Sequence, residues 1–351
     1  MSFSPDPHGG PECLWFCFRV HFAAPNPASM VSLVLKHAEN ALGGEQMEHF
    51  RPVVRCDENG WVRLGAPRVH TLPDGRREAE WTIQPPERTA DVALCYPYGP
   101  ENVLDLLKDC PGHLTGDTIG VSQQARPLLR VSNDYGRPGG DRPGVYVVAR
   151  QHSGEVPGSW VLDGFLRALA ERGQQAPLVW GVPLSNIDGV MEGDYGKDNF
   201  PYDLNRAWGQ PPMRHEVLVI QRDVYRWKQR CRPALGLDFH APGGCEKGGC
   251  YFYLPKPQDY PEHHRLMGEW VEQISQAVDG QYVNPDCGQV ALYPSRWETA
   301  SLTQFFCEQG IPALSMETPY ALVGRRVLEL DDYRRIGEQL AEAVCRQLGM
   351  S

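Results

Sequence analysis

After Cys95-Tyr96-Pro97-Tyr98 the chain alternates strand-length apolar runs with helix-length amphipathic segments. That alternation narrows the possible folds more than any other feature of its 351 residues. Strands are expected at 118–122, 128–131, 145–149, 178–184, 234–239, 251–254 and 312–316. Between them 102–109 reads as a short helix, and 158–172 carries Trp160, Val161, Phe165, Leu166 and Leu169 at helical spacing. Segments 214–230, 264–277 and 331–348 repeat that helical pattern. Strands alternating with helices of this length imply βαβ units. The expected fold is therefore α/β, with a mixed, mainly parallel sheet and helices on both faces.

The first ninety or so residues read differently. Runs at 14–22, 30–35, 51–55 and 78–83 are short, and several alternate apolar and polar residues, the period of a half-buried antiparallel sheet. Asn59-Gly60 and Pro73-Asp74-Gly75 are turn signals between them. Asp91-Val92-Ala93-Leu94 is the expected last strand. The reading is a small all-β sandwich domain over residues 1–94, followed by the α/β domain over 95–351.

Bulk properties remove several function classes. A formal charge of −10 disfavours binding to a phosphate backbone, so no nucleic-acid partner is expected. No apolar run reaches the length of a membrane span, and the start of the chain carries no secretory pattern, so no membrane partner is expected either. The 11 cysteines form no regular framework and read as reduced thiols in a cytoplasmic protein. Subunit number is not encoded in any of these features.

The chemistry-bearing residues sit at predicted strand exits, where α/β sheets place ligand sites. Of the 11 histidines only His152 has a glutamate three residues later, Glu155, just after the apolar run 145–149. An imidazole nitrogen and a carboxylate oxygen at that spacing chelate one zinc ion, although chance alone supplies about one such pair in a chain like this. His240 follows the strand at 234–239 and precedes a Pro-Gly-Gly loop, which makes it the best third ligand. Asp203-Leu204-Asn205-Arg206 offers amide donors and a guanidinium fork suited to a carboxylate. It reads equally as a helix cap followed by a solvated arginine. Glu317, at the end of the strand at 312–316, is either a buried general base or a capping or salt-bridged glutamate.

The order of these motifs resembles the zinc metallocarboxypeptidases, and within them the cytosolic carboxypeptidase branch. Ala149-Arg150-Gln151-His152-Ser153-Gly154-Glu155 resembles that branch's signature around its first two zinc ligands. Asn186-Ile187-Asp188-Gly189-Val190 is similar to its Asn-Pro-Asp-Gly-Val stretch, and Asp203-Leu204-Asn205-Arg206-Ala207-Trp208 to its substrate-carboxylate motif. Leu237-Asp238-Phe239-His240 resembles the strand that delivers the third ligand. The resemblance covers nearly the whole chain. It implies one Zn2+ per chain on His152, Glu155 and His240, with Glu317 as the catalytic base and Asn205 and Arg206 holding a peptide C-terminus.

Three further expectations follow from the resemblance. The family places an arginine between these two motifs, at the position of Gly196, and Lys197 is the adjacent cation that could replace it. Tyr293 is the nearest match to a tyrosine expected before the last strand. Branch members often remove acidic residues, and Arg325, Arg326 and Lys247 are the candidate basic residues for that pocket. The implied activity is hydrolysis of the C-terminal peptide bond of peptides or proteins. The rivals are a zinc amidase or deacylase on the same scaffold and a catalytically weak binding module.

Overall fold

In a computed structural model, described for residues 1–5, 12–22, 30–56, 60–84, 88–197, 202–290 and 301–350, the alternation resolves into one eight-stranded sheet. Its order across the sheet is Val283–Val290, Cys250–Leu254, Ala313–Glu317, Arg232–His240, Pro143–Ala149, Leu178–Val182, Pro127–Ser132 and Thr115–Val121. The four central strands, from Ala313–Glu317 to Leu178–Val182, run parallel. Val283–Val290 runs parallel to Cys250–Leu254, and the remaining ladders are antiparallel. The sheet is mixed and parallel-rich, as the periodicity implies.

Helices cover both faces because alternate residues of the buried strands point opposite ways. Tyr146 packs on Trp227 of helix His215–Lys228 and on Phe306 of helix Leu302–Glu308. Phe239, on the opposite face, meets Phe165 of helix Val156–Arg172. That helix lies against the closing helix Leu330–Gln347 so closely that a Cβ on Gly337 would strike the Val161 carbonyl.

Between residues 2 and 93 the described strands form two four-stranded sheets. The first joins Ser2–Phe3, Val31–Leu35, Arg77–Ile83 and Arg68–Thr71; the second joins Cys17–His21, Thr89–Ala93, Val53–Arg55 and Val62–Arg63. Phe3 of the first touches Phe18 of the second, with ring centroids 4.8 Å apart. Arg63 links this part to the α/β part, stacking over the Tyr96 ring at 4.7 Å and donating to the Tyr333 hydroxyl at 3.2 Å.

Several elements differ from the sequence reading. The strand expected at 178–184 stops at Val182, since Pro183 lacks the N–H that would continue the ladder. Strand Val283–Val290 and helices Ile187–Glu192 and Leu302–Glu308 were not expected. Asn59 of the first turn signal lies outside the described residues.

Candidate active site

Strand Pro143–Ala149 ends where the chain turns back through residues 150–154 before helix Val156–Arg172. Arg150 adopts φ 64°, the left-handed region that side chains rarely occupy. Its buried guanidinium donates to the carbonyls of Tyr98 and Ser153, both at 2.7 Å. These bonds over-determine a strained turn, as strained functional segments require. The Gly154 N–H donates to the Tyr195 carbonyl at 2.8 Å, and the Tyr320 hydroxyl donates to the Gly154 carbonyl at 3.1 Å. The turn is thereby braced from three directions, and His152 and Glu155 both point inward from it.

His240 and Glu317 end neighbouring parallel strands and are paired in register. Tyr251 sits opposite Glu317 on the other side. Register partners share a face, so the three side chains line one edge of the sheet. The ligand atoms of His152, Glu155 and His240 all lie within 4.8 Å of one another. His152 Nδ1 is 2.8 Å from Glu155 Oε1, and His240 Nδ1 is 2.7 Å from Glu155 Oε2.

The outer nitrogens also face carboxylates. His152 Nε2 lies 3.2 Å from each oxygen of Asp203, and His240 Nε2 lies 2.8 Å from Asp238 Oδ2. An Nε2–H donated outward leaves a lone pair on Nδ1, aimed at a lone pair of Glu155. Oxygen and nitrogen lone pairs this close need a proton or a cation between them. The donor set therefore fits a metal ion, with the carboxylate–histidine support that such ions favour.

Burial opposes the charge on His152, but Glu155 and Asp203 outweigh it and raise the imidazole to about 9. His240 is likewise raised, against burial, by Asp238 and Glu155. Burial pushes Glu155 up, and the two imidazoles pull it well below the usual carboxylate range. Three carboxylates around two rings make a site that attracts positive charge.

The sequence motifs contain Asp203 and Asp238 but give neither of them a role as an imidazole partner. Asp238 precedes His240 by two residues on one strand, a spacing that puts both on one face. Gln151 Nε2 donates to Asp238 Oδ2 at 2.7 Å, and Trp208 Nε1 donates to Gln151 Oε1 at 2.6 Å, so the His240 partner is itself held. Asp203 does cap a short 3-10 turn, accepting from the Asn205 N–H at 2.7 Å, and meets His152 with the same carboxylate.

The site opens into a cleft of about 610 Å³. Asn205, Arg206, Lys197, Lys247 and Glu317 all line it. Asn205 places its side-chain nitrogen 3.2 Å from His240 Nε2 and accepts from the Leu302 N–H at 3.1 Å. Arg206 donates to the Asn205 carbonyl at 2.9 Å. Oε2 of Glu317 is buried with no hydrogen-bond partner among the described residues. Burial raises Glu317 to about 7, with His240 opposing and Glu155 reinforcing the shift. Residues 42, 43, 45 and 46 supply a wall from the amino-terminal part, a contribution with no signal in the sequence.

Three expected residues need correction or fall outside the described residues. Arg325 does not line the cleft: it is exposed in the tight turn between Leu322–Val323 and Arg326–Val327. Arg326 is also exposed and pairs with Asp332 at 2.6 Å. Tyr293 lies outside the described residues.

No family model matches the chain. Its fold is that of solved metallo-carboxypeptidases. A solved metallo-carboxypeptidase from Pseudomonas aeruginosa, in complex with (2-guanidinoethylmercapto)succinic acid, superimposes with a TM-score of 0.76 at 19% identity, covering 100% of this chain and 94% of that one. The sequence of this chain is similar to curated cytosolic carboxypeptidases. Cytosolic carboxypeptidase 6 of Caenorhabditis elegans is 22% identical over 276 residues, covering 72% of this chain and 59% of that protein. Its human counterpart is 28% identical over 226 residues, covering 58% of this chain and 44% of that protein. The chain thus spans about half the length of these relatives. In sequence it is similar to cytosolic carboxypeptidases, and in fold to solved metallo-carboxypeptidases.

Proposed function

We propose that this protein is a zinc-dependent metallocarboxypeptidase that removes the last residue of peptides or proteins, with residues 95–351 carrying the chemistry and residues 1–94 framing the cleft. The observation that carries this reading is the convergence of His152, Glu155 and His240 beside Glu317, whose Oε2 is buried without a hydrogen-bond partner among the described residues. Two imidazole nitrogens and one carboxylate are the donors of catalytic zinc sites, which keep a further position open. One zinc ion held by these residues supplies Lewis acidity toward the scissile carbonyl and toward water.

The protein's own groups do the rest. Glu317 takes the proton of the attacking water on Oε2 and passes it to the leaving amine nitrogen. A pKa raised by burial suits both halves of that task. Arg206 and Asn205 hold the free C-terminal carboxylate, with charge-assisted hydrogen bonds from the guanidinium. Fixing that end places one bond at the reacting centre, which makes the attack effectively unimolecular. Asp203 and Asp238 hold the rings in the tautomer that leaves Nδ1 free. Lys247, which lines the cleft, supports a preference for acidic terminal side chains. The cytosolic name of the relatives and eleven free cysteines support a cytoplasmic site of action.

The test is a panel of peptides with free or amidated C-termini, analysed by mass spectrometry. Loss of single residues from free C-termini alone is the expected result. Equal cleavage of both kinds would remove the clamp assignment. Turnover of N-acyl amino acids with no action on peptides would favour the deacylase reading.

A further inference from the structure

The cleft carries three cations among the described residues, and their surroundings separate their roles. Arg206 stands at the carboxylate-binding motif. Lys247 sits at the rim, where Nζ donates to His49 Nε2 at 3.0 Å. Lys197 lines the same cleft as Glu317, Glu246 and Tyr253, and its charge favours the carboxylate form of Glu317. Its side chain is only 17% exposed, and Nζ lies 3.4 Å from Glu12 Oε2, itself in a side chain 16% exposed. A surface ion pair would need no explanation, but two desolvated charges are costly to hold together.

The local backbone fixes where Lys197 emerges. Gly196 has φ 85°, and a Cβ there would press on Ser153, 2.5 Å from its backbone nitrogen. A side chain at 196 would force Ser153 to shift, and the cation this segment does carry is Lys197. Tyr195, fully buried, accepts from the Gly154 N–H of the turn that bears His152 and Glu155. Trp15, three residues after Glu12, packs against the same turn, since a Cβ on Gly154 would lie 2.8 Å from the Trp15 Cβ. Both ends of the Glu12–Lys197 pair are therefore anchored to the turn that holds the metal donors.

We infer that the amino-terminal part completes the active site, with Glu12 as a positioning residue that holds Lys197 against the reacting carbonyl. This rests on the peptidase reading above. As water attacks, negative charge gathers on the carbonyl oxygen, and the Lys197 ammonium stabilises it while keeping its proton. A lysine acts there as a compact point charge and needs a fixed partner to aim it, whereas a guanidinium fork would be self-orienting. Glu12 provides that aim.

The test uses the full-length, zinc-loaded protein carrying Lys197→Met, Lys197→Arg, Glu12→Gln, or Glu12→Gln with Lys197→Met. Lys197→Met is expected to lower kcat about 100-fold or more, the usual loss on removing one oxyanion donor, with KM little changed. A phosphonate peptide analogue of the tetrahedral state should bind it more weakly by the same factor in calorimetry. Lys197→Arg should recover part of the loss. Glu12→Gln should lower kcat about tenfold through misplacement, at an unchanged melting temperature, and add nothing in the Lys197→Met background. An active wild type with Lys197→Met at near wild-type kcat and analogue affinity would overturn the inference, as would additive Glu12 and Lys197 effects. A wild type inactive on every peptide would overturn the peptidase reading itself, a separate result.

Discussion

Replacing Gly196 with alanine tests how tightly the turn carrying His152 and Glu155 is packed, and Gly193 provides an internal control. The two glycines have nearly equal left-handed φ values, 85° and 82°. Alanine in that region costs about 1–2 kcal/mol at either site. Only the surroundings differ. A Cβ on Gly193 meets nothing within 4 Å, whereas one on Gly196 would press on the Ser153 hydroxyl and lie 2.5 Å from the Ser153 backbone nitrogen. Ser153 cannot retreat freely, because its hydroxyl donates to the Asp194 carbonyl at 2.9 Å. Overpacking of this kind adds about 1–3 kcal/mol. Gly193→Ala should therefore cost about 1–2 kcal/mol and Gly196→Ala about 2–5 kcal/mol in all. Urea unfolding followed by circular dichroism, in chelator, measures both. Gly196→Ala should also weaken zinc binding, since Ser153 lies between His152 and Glu155, while Gly193→Ala should not. Equal destabilisation of the two variants, with equal zinc affinity, would refute this account of the turn.

Three further outcomes follow from the site. Asp238→Asn removes the carboxylate that orients His240 and should weaken zinc affinity about 10–100-fold, read by competition with a chromophoric chelator. Metal affinity should fall as pH drops through about 9, because the raised His152 binds protons that zinc must displace, and calorimetry should record proton release on binding. As the proposed base Glu317 has to be a carboxylate, so kcat/KM should rise with pH along an acid limb centred at or below about 7, since a bound zinc ion lowers the midpoint further. A pH-independent kcat/KM between 5 and 8 would argue against Glu317 as the base.

The parts of this molecule legible in the sequence are those whose signal is periodic or local. Helices Val156–Arg172 and Leu330–Gln347 and the central strands have long apolar periods, and their ends move by only a few residues. Strand Val283–Val290, with the sequence Val-Asn-Pro-Asp-Cys-Gly-Gln-Val, stands at the sheet edge, where proline and polar residues are tolerated and the apolar signal disappears. Helix Leu302–Glu308 is short, yet Ser301 caps it by accepting from the Gln304 N–H at 3.2 Å, a serine–glutamine spacing visible in the sequence.

The site divides in the same way. His152, Glu155, His240 and Glu317 stand out because each sits at a strand exit. The support from Asp203, the cleft wall at 42–46 and the Glu12–Lys197 pair are tertiary, joining segments with no fixed spacing. Arg325 fails as a pocket residue for that reason too: its exposure follows from a hairpin that the charge pattern does not announce.

The most direct measurement is a mass-spectrometric time course of a peptide with a free C-terminus, run with chelated protein, with the same sample after one equivalent of zinc, and with zinc-loaded Glu317→Gln. The account predicts a product one residue shorter from the zinc-restored wild type alone, with Glu317→Gln binding zinc as tightly but leaving the peptide intact. Cleavage that persists in chelator, or in Glu317→Gln, would contradict it.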